Sequence, residues 1–172
     1  MKGAFLEDER DASRRVNRVR LALALAVVAA ALEAVAPIDA RIIVQHGIAG
    51  VELRMTKLQV RSKLGRPIRI RRGRNEFGRY VEFLYPRVTV SFQGGLRVTG
   101  MRTRSRLERT RRGIGVGSRE AQVKARVAGV RCRTEGGLRH CFIGRFLPGR
   151  VITDFSIRNG RVTWVVIGFV LD

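Results

Sequence analysis

The chain has 172 residues, 45% hydrophobic and 28% charged, which excludes anything larger than one ordinary domain or two small ones sharing a core. With 35 Lys and Arg against 14 Asp and Glu, the formal net charge is +21, nearly all of the basic side chains being arginine. Such a chain attracts anions at long range, whether nucleic acid, anionic lipid or acidic wall polymer, and charge alone does not choose among them.

Residues 1–20, MKGAFLEDERDASRRVNRVR, are polar and end in Arg14, Arg15, Arg18 and Arg20. The apolar run Leu21 to Leu32 that follows is too short for an ordinary transmembrane helix. A basic flank before a short apolar core predicts a secretory signal or membrane-targeting segment over residues 1–40. Ala34-Val35-Ala36 has the small-x-small cleavage pattern, but Pro37 disfavours it, so cleavage after Ala40 is the rival. Arg14-Arg15 is compatible with twin-arginine export, without the full motif. The other reading is an uncleaved anchor or amphipathic helix that contacts the membrane. No cysteine follows the apolar run closely, which argues against lipid attachment. These forty residues hold six basic and six acidic side chains, so the remainder carries 29 basic against 8 acidic residues and the whole +21.

The remainder reads twice. GIAGVELRMTKLQVRSKLGRP and GIGVGSREAQVKARVAGVRC align Gln59-Val60 with Gln122-Val123, and Val51 and Leu53 with Ile114 and Val116. Thr56 with Gln59 forms a capping-box pattern, followed by Leu58, Val60 and Leu64 and stopped by Gly65 and Pro67. Ser118 is the expected cap of the second helix, with Glu120 favourable in its first turn and Ala121, Val123, Ala125 and Val127 along it. Helices this short need a sheet to lie on. The predicted fold class is therefore α+β, in two tandem repeats, each a short helical segment packed on an antiparallel sheet with hairpins. The first repeat is placed at 41–105, an arginine-rich linker at 106–112 and the second repeat at 113–172.

In the first repeat, Val88, Val90 and Phe92 share a face. A three-residue loop, Gln93-Gly94-Gly95, is expected to set Phe92 opposite Leu96 and Val90 opposite Val98. In the second, Asn159-Gly160 is a two-residue turn signal. It pairs Ile157 with Val162 and Phe155 with Trp164, sending Asp154, Ser156, Arg158, Arg161 and Thr163 to the other face.

The only cysteines lie in CRTEGGLRHC. Two cysteines at wide spacing plus His140, with His46 far away, fall short of a four-ligand metal site, and His140 and Cys141 should point to opposite faces of a strand. The spacing is wrong for a thioredoxin-like site. A turn at Gly136-Gly137 brings Cys132 opposite Cys141, in a pair close enough to bridge, and an exported protein keeps such a bridge.

Catalytic patterns do not assemble. No acid is evidently paired with either histidine, GIGVGSR lacks the lysine and βαβ context of a phosphate loop, and Glu76, Glu82 and Asp154 read as surface or salt-bridge carboxylates. No cofactor is implied. The basic segments are the remaining candidates for contact with an anion or partner: Arg66, Arg69, Arg71, Arg72 and Arg74, with Arg102, Arg104, Arg106, Arg109, Arg111 and Arg112. Phe77, Tyr80, Phe83 and Tyr85 are interleaved near the first group, as base-stacking or core residues.

Thr56, Gln59, Val60, Leu64, Gly65 and Pro67, with Ser118, Gln122 and Val123, resemble a module found in the SmpA and OmlA outer-membrane assembly lipoproteins and in the tandem-repeat β-lactamase inhibitory proteins. The resemblance covers residues 47–170 in layout. It implies helix-plus-sheet modules that bind proteins without catalysis, with disulfide-bridged hairpins. The lipidated cysteine of the lipoproteins has no counterpart here, and the inhibitors' enzyme-binding residues have no assignable positions. The expectation is an exported or extracytoplasmic, non-catalytic module. It would bind an envelope or extracellular protein, or an anionic surface polymer, or serve as a structural part of the cell envelope. The alternatives are a basic nucleic-acid-binding protein and, more weakly, a wall-associated enzyme using Glu82 and Asp154 in one cleft.

Overall fold

A computed structural model describes residues 41–172, and the expected signal segment lies outside the described residues. Three two-residue strands come first: β1 (Ile42–Ile43), β2 (Gly47–Ile48) and β3 (Val51–Glu52). Helix α1 (Lys57–Leu64) precedes a four-strand meander, β4 (Arg69–Asn75), β5 (Gly78–Leu84), β6 (Thr89–Gln93) and β7 (Gly100–Thr103). Helix α2 (Glu120–Arg126) precedes a second meander, β8 (Arg131–Glu135), β9 (Leu138–Ile143), β10 (Val151–Arg158) and β11 (Arg161–Phe169).

The α+β reading in two tandem repeats is overturned. The described chain is mostly β: one eight-stranded antiparallel sheet of order β4-β5-β6-β7-β11-β10-β9-β8, beside a three-stranded sheet β1-β2-β3. The hydrogen bonds of β7 continue into β11, so the strands assigned to separate units form one layer. The helices are eight and seven residues long, too short to define layers of their own. Residues 106–112, expected as a linker, are packed: Glu108 and Thr110 are buried, and the Arg109 carbonyl accepts from the Ile42 amide.

The core lies on one face of the large sheet. Phe83, Val90, Phe92, Met101, Phe155, Val165 and Ile167 meet Ile42, Ile48 and Val51 of the small sheet, Val60 of α1 and Val123 of α2. Burying each large apolar side chain contributes about 1.5–3 kcal/mol. Thr56 caps α1 with the full capping box. Its hydroxyl accepts from the Gln59 amide at 3.2 Å, and the Gln59 side chain accepts from the Thr56 amide at 2.8 Å. Leu58, one of the apolar residues of the expected helical run, is 78% exposed, because a helix of two turns turns only Val60 fully inward. The cap of α2 is Arg119, not Ser118. Ser118 is buried and its hydroxyl accepts from the Gly115 amide, closing the preceding turn.

Two hairpin expectations need correction. Val90 faces Met101 instead of Val98. Residues 97–98 are instead hydrogen-bonded to the strand-like segment before α1: Arg97 bridges Thr56, and Val98 exchanges hydrogen bonds with Arg54 and Met55. The Asn159-Gly160 turn forms, with φ of 50° and 69°, and Ile157 faces Val162. Beyond it the register shifts: Ser156 faces Trp164 and Phe155 faces Val165. Thr163 is the additional residue of a β-bulge, its hydroxyl donating to the Ser156 carbonyl. The bulge turns the indole out of the core.

No helix among the described residues is long and apolar enough to cross a membrane. One ion cluster ties α2 to the sheet: Glu120 accepts from Arg139 of β9 at 2.5 Å and from Lys124 at 2.8 Å. Hydrogen bonds from Arg139 and then Lys124 hold its carboxyl down at about 2. A depressed carboxyl stabilises the fold above its ordinary value near 4.5, and this is lost as pH falls towards 2. In urea melts, Glu120→Gln should therefore be less stable than the parent at pH 7, and the gap should close between pH 5 and pH 2. A gap that stays constant over that range would rule this linkage out.

Candidate functional site

The hairpin of β8 and β9 forms in the expected register, Cys132 facing Cys141 and Arg133 facing His140. Gly136 and Gly137 take φ of 54° and 76°, the left-handed conformation that a two-residue hairpin turn demands. The two cysteines are disulfide-bonded, with Cα atoms 4.0 Å apart. Cys141 is fully buried on the helix side of the sheet. Among the described residues the one cluster with metal-ligand proximity is Glu120 with these cysteines. Its sulfurs are bonded to each other and its carboxylate is held by Arg139 and Lys124, so the residues do not fit a metal.

Among the described residues no helix lies on the opposite face of the large sheet, and its side chains follow from the register. Asp154 faces Val166 on one side and Phe142 on the other. Ser156 faces Trp164 and His140. Arg102 faces Val166 and Thr89. An open cleft of about 830 Å3 lies here, lined by Arg104, His140, Ile152, Asp154, Ser156 and Trp164 among others.

A polar chain crosses the cleft floor. The Trp164 indole donates to Ser156 Oγ. Ser156 Oγ donates to Asp154 Oδ2 at 3.3 Å, and Asp154 Oδ1 meets His140 Nδ1 at 3.0 Å. Burial pushes the Asp154 carboxyl up; His140 and Ser156 oppose that shift. His140 Nε2 is buried without a hydrogen-bond partner among the described residues, 3.9 Å from Glu135. The pairing of His140 with Asp154 corrects the expectation that no acid is matched to a histidine. It depends on the β9–β10 register, which the intervening GRFLPGR segment does not reveal. Chemically the group differs from a nucleophile–base–acid triad: Ser156 donates to the acid, not to the imidazole. Glu82 lies on β5, bound to Arg71 at 3.3 Å and Ser91 at 3.4 Å, and is not among the residues lining the cleft around Asp154.

Around this floor, guanidiniums rest on aromatic rings. Arg104 and Arg102 lie 4.8 Å and 5.8 Å from the Trp164 ring. Arg133 and Arg131 lie 5.0 Å and 5.2 Å from Phe142, and Arg133 also 5.1 Å from Phe146. Such stacking orients the planar fork.

The arginines singled out from sequence are spread over the molecule. Arg102 and Arg104 reach the open face beside Trp164. Arg69 shares the row of Arg102 across β4, β5 and β6, about 14 Å away at ordinary strand spacing, and Arg71 shares that face. Arg72 and Arg74 face the helix side of β4. Arg66 is exposed in the turn before β4. Arg106 and Arg109 line the turn before α2, where Arg109 binds the Arg106 and Gly113 carbonyls and the Ser118 hydroxyl. Arg111 and Arg112 flank a different groove, beside Val127 and Ile143. Of the interleaved aromatics, Phe83 and Tyr85 are core and Tyr80 covers Gly73. Sequence reasoning set Ser156 and Asp154 on the outward face but did not join Trp164 and His140 to them.

No family model and no curated protein matches the chain. Two solved structures are similar in outline. A DUF4309 family protein (YjgB) from Bacillus subtilis subsp. subtilis str. 168 is 17% identical, with a TM-score of 0.49, over 77% of this chain and 90% of that one. An extracellular protein containing a SCP domain from Bacillus anthracis str. Ames is 10% identical, with a TM-score of 0.45, over 68% of this chain and 44% of that one. At such distances neither indicates what this chain does.

The bulge itself is testable. With Thr163 deleted, Val162 and Trp164 still meet Ile157 and Ser156 in a regular ladder. The deletion should cost under about 1 kcal/mol, the scale of one weak hydrogen bond, and leave the emission of the only tryptophan unchanged. A red or blue shift of that emission would show that Trp164 does not keep its place opposite Ser156 once Thr163 is removed.

Proposed function

We propose that the chain is an exported, non-catalytic binding module that receives an acidic protein partner on the open face of its eight-stranded sheet. The observation that carries this reading is the set of arginines stacked on Trp164 and Phe142 across one face that no described helix covers. Ion pairing within the described residues supports it: four of the eight side-chain carboxylates have a lysine or arginine within 4.0 Å, and two more have a histidine. The large surplus of arginine is left to counter-charges from outside. Residence outside the cytoplasm is supported by the disulfide, which reducing compartments do not sustain.

Two measurements test it. Intact mass of the native protein with and without reductant should show a shortened N-terminus and two thiols gained on reduction. Binding of polyglutamate should weaken at least tenfold when Arg102 and Arg104 are both replaced by alanine. Full-length reduced protein in the cytosol, with duplex DNA bound more tightly than polyglutamate, would favour nucleic-acid binding instead. Turnover of a defined wall substrate would sink the non-catalytic reading.

A further inference from the structure

Two cavities on the open face share one wall, and together they specify more than a general attraction for acids. The cleft that holds Trp164 is lined in part by apolar side chains, Leu138, Ile152, Ile157 and Val166, alongside His140, Asp154 and Ser156. Next to it lies a second cavity of about 450 Å3, lined by Arg87, Arg102, Arg104, Thr89 and Ser105 among others. Arg104 lines both. Its guanidinium rests on Trp164, and that of Arg102 lies within 5.8 Å of the same ring. Three planar cations with hydroxyl neighbours match a carboxylate, which guanidinium binds through paired hydrogen bonds. An aromatic-walled apolar slot matches a large apolar side chain.

We propose that these cavities form a two-part docking site for an extended acidic segment of a protein partner. A carboxylate enters between Arg87, Arg102 and Arg104, and a large apolar side chain enters beside Trp164. Because a single side chain separates the cavities, the two ligand side chains lie two residues apart on one face of an extended chain, about 7 Å at ordinary strand rise. The occupant is argued from charge: the polar cavity presents three arginines and no carboxylate among its described lining residues, and Glu108, 4.0 Å from Arg87, is itself buried. This inference rests on the proposed function, since it assigns the partner's recognition pattern to that same face.

The probes are two hexapeptides of equal charge: a Glu/Phe peptide, Glu-Ser-Phe-Ser-Glu-Ser, which sets glutamate and phenylalanine two residues apart on one face, and a Glu/Ser peptide, Glu-Ser-Ser-Ser-Glu-Ser, which lacks the phenylalanine. Trp164 is the only tryptophan, so its emission reports on the site directly. The Glu/Phe peptide should shift that emission saturably and bind at least tenfold more tightly than the Glu/Ser peptide. Arg104→Ala and Arg87→Ala should each weaken it at least tenfold. Arg104→Lys, which keeps charge but loses the fork, should fall between. Arg111→Ala, on another groove, should change affinity less than twofold. Circular dichroism and calorimetry on each variant separate loss of fold from loss of binding. Equal affinity for both peptides, or equal damage from Arg111→Ala and Arg104→Ala, would overturn the two-part site. Calorimetric binding of the Glu/Phe peptide with unchanged Trp164 emission would overturn it too, leaving the acidic-partner reading intact. Failure of both peptides and of polyglutamate to bind would overturn both.

Discussion

Breaking the Cys132–Cys141 bridge is expected to lower the unfolding free energy by about 2–3 kcal/mol, the chain-entropy cost of freeing a ten-residue loop. The loss arises mainly in the unfolded chain, because the folded hairpin keeps its Gly136-Gly137 turn and five facing pairs without the bond. The double replacement Cys132→Ala, Cys141→Ala tests this without leaving a buried thiol or hydroxyl beside Phe155, which faces Cys141. Urea midpoints for the parent, the reduced parent and the double variant should place the last two close together and well below the first. A difference under about 0.5 kcal/mol would mean that the hairpin persists in the denatured state, where the bond then has little entropy to remove. The expected loss is a substantial share of the 5–15 kcal/mol that holds an ordinary domain together.

Replacing Glu108 by glutamine should act in the opposite direction, stabilising the protein by about 1–3 kcal/mol at pH 7. Glu108 is fully buried, and neither carboxylate oxygen has a hydrogen-bond partner among the described residues. Arg87 approaches only to 4.0 Å. Burial raises the carboxyl above its ordinary value; the charges of Arg41 and Arg87 oppose this but do not cancel it. A raised folded-state value means that the acid's contribution is fully present below its unfolded value, near 4.5, and is lost as pH rises through the folded one. Glutamine removes that pH-dependent loss. The difference between Glu108→Gln and the parent should be small at pH 4 and grow as pH rises above 4.5. A variant that is less stable than the parent at pH 7, by an amount that grows with pH, would show that attraction to Arg41 and Arg87 outweighs burial of the charge.

What was legible in the sequence was local. The Thr56–Gln59 capping box, the Gly136-Gly137 hairpin with its bridge and the Asn159-Gly160 turn each depend on residues within ten positions of one another. The layer architecture was not legible, because it depends on β7 meeting β11 across more than sixty residues, with no turn to dictate the pairing. The candidate site was hidden by a single residue. Without the bulge at Thr163, strict alternation assigns Trp164 to the core beside Phe155; with it, the indole joins Asp154, Ser156 and His140. The arginine clusters misled in a different way. Density along the chain was taken for density on the surface, but alternation in β4 splits Arg69 and Arg71 from Arg72 and Arg74. The turns after β7 likewise carry Arg106, Arg109, Arg111 and Arg112 to other sites.

The strand order also fixes how the sheet can assemble. Every pairing in it joins consecutive strands except β7 with β11. Six hairpin-like pairings can therefore form early, each closing a short loop, while the seam from Thr103 to Val165 waits for the largest loss of chain entropy. Refolding should be governed by that one long-range encounter, and substitutions along the seam should slow it more than equally destabilising ones at the outer strands β4 and β8.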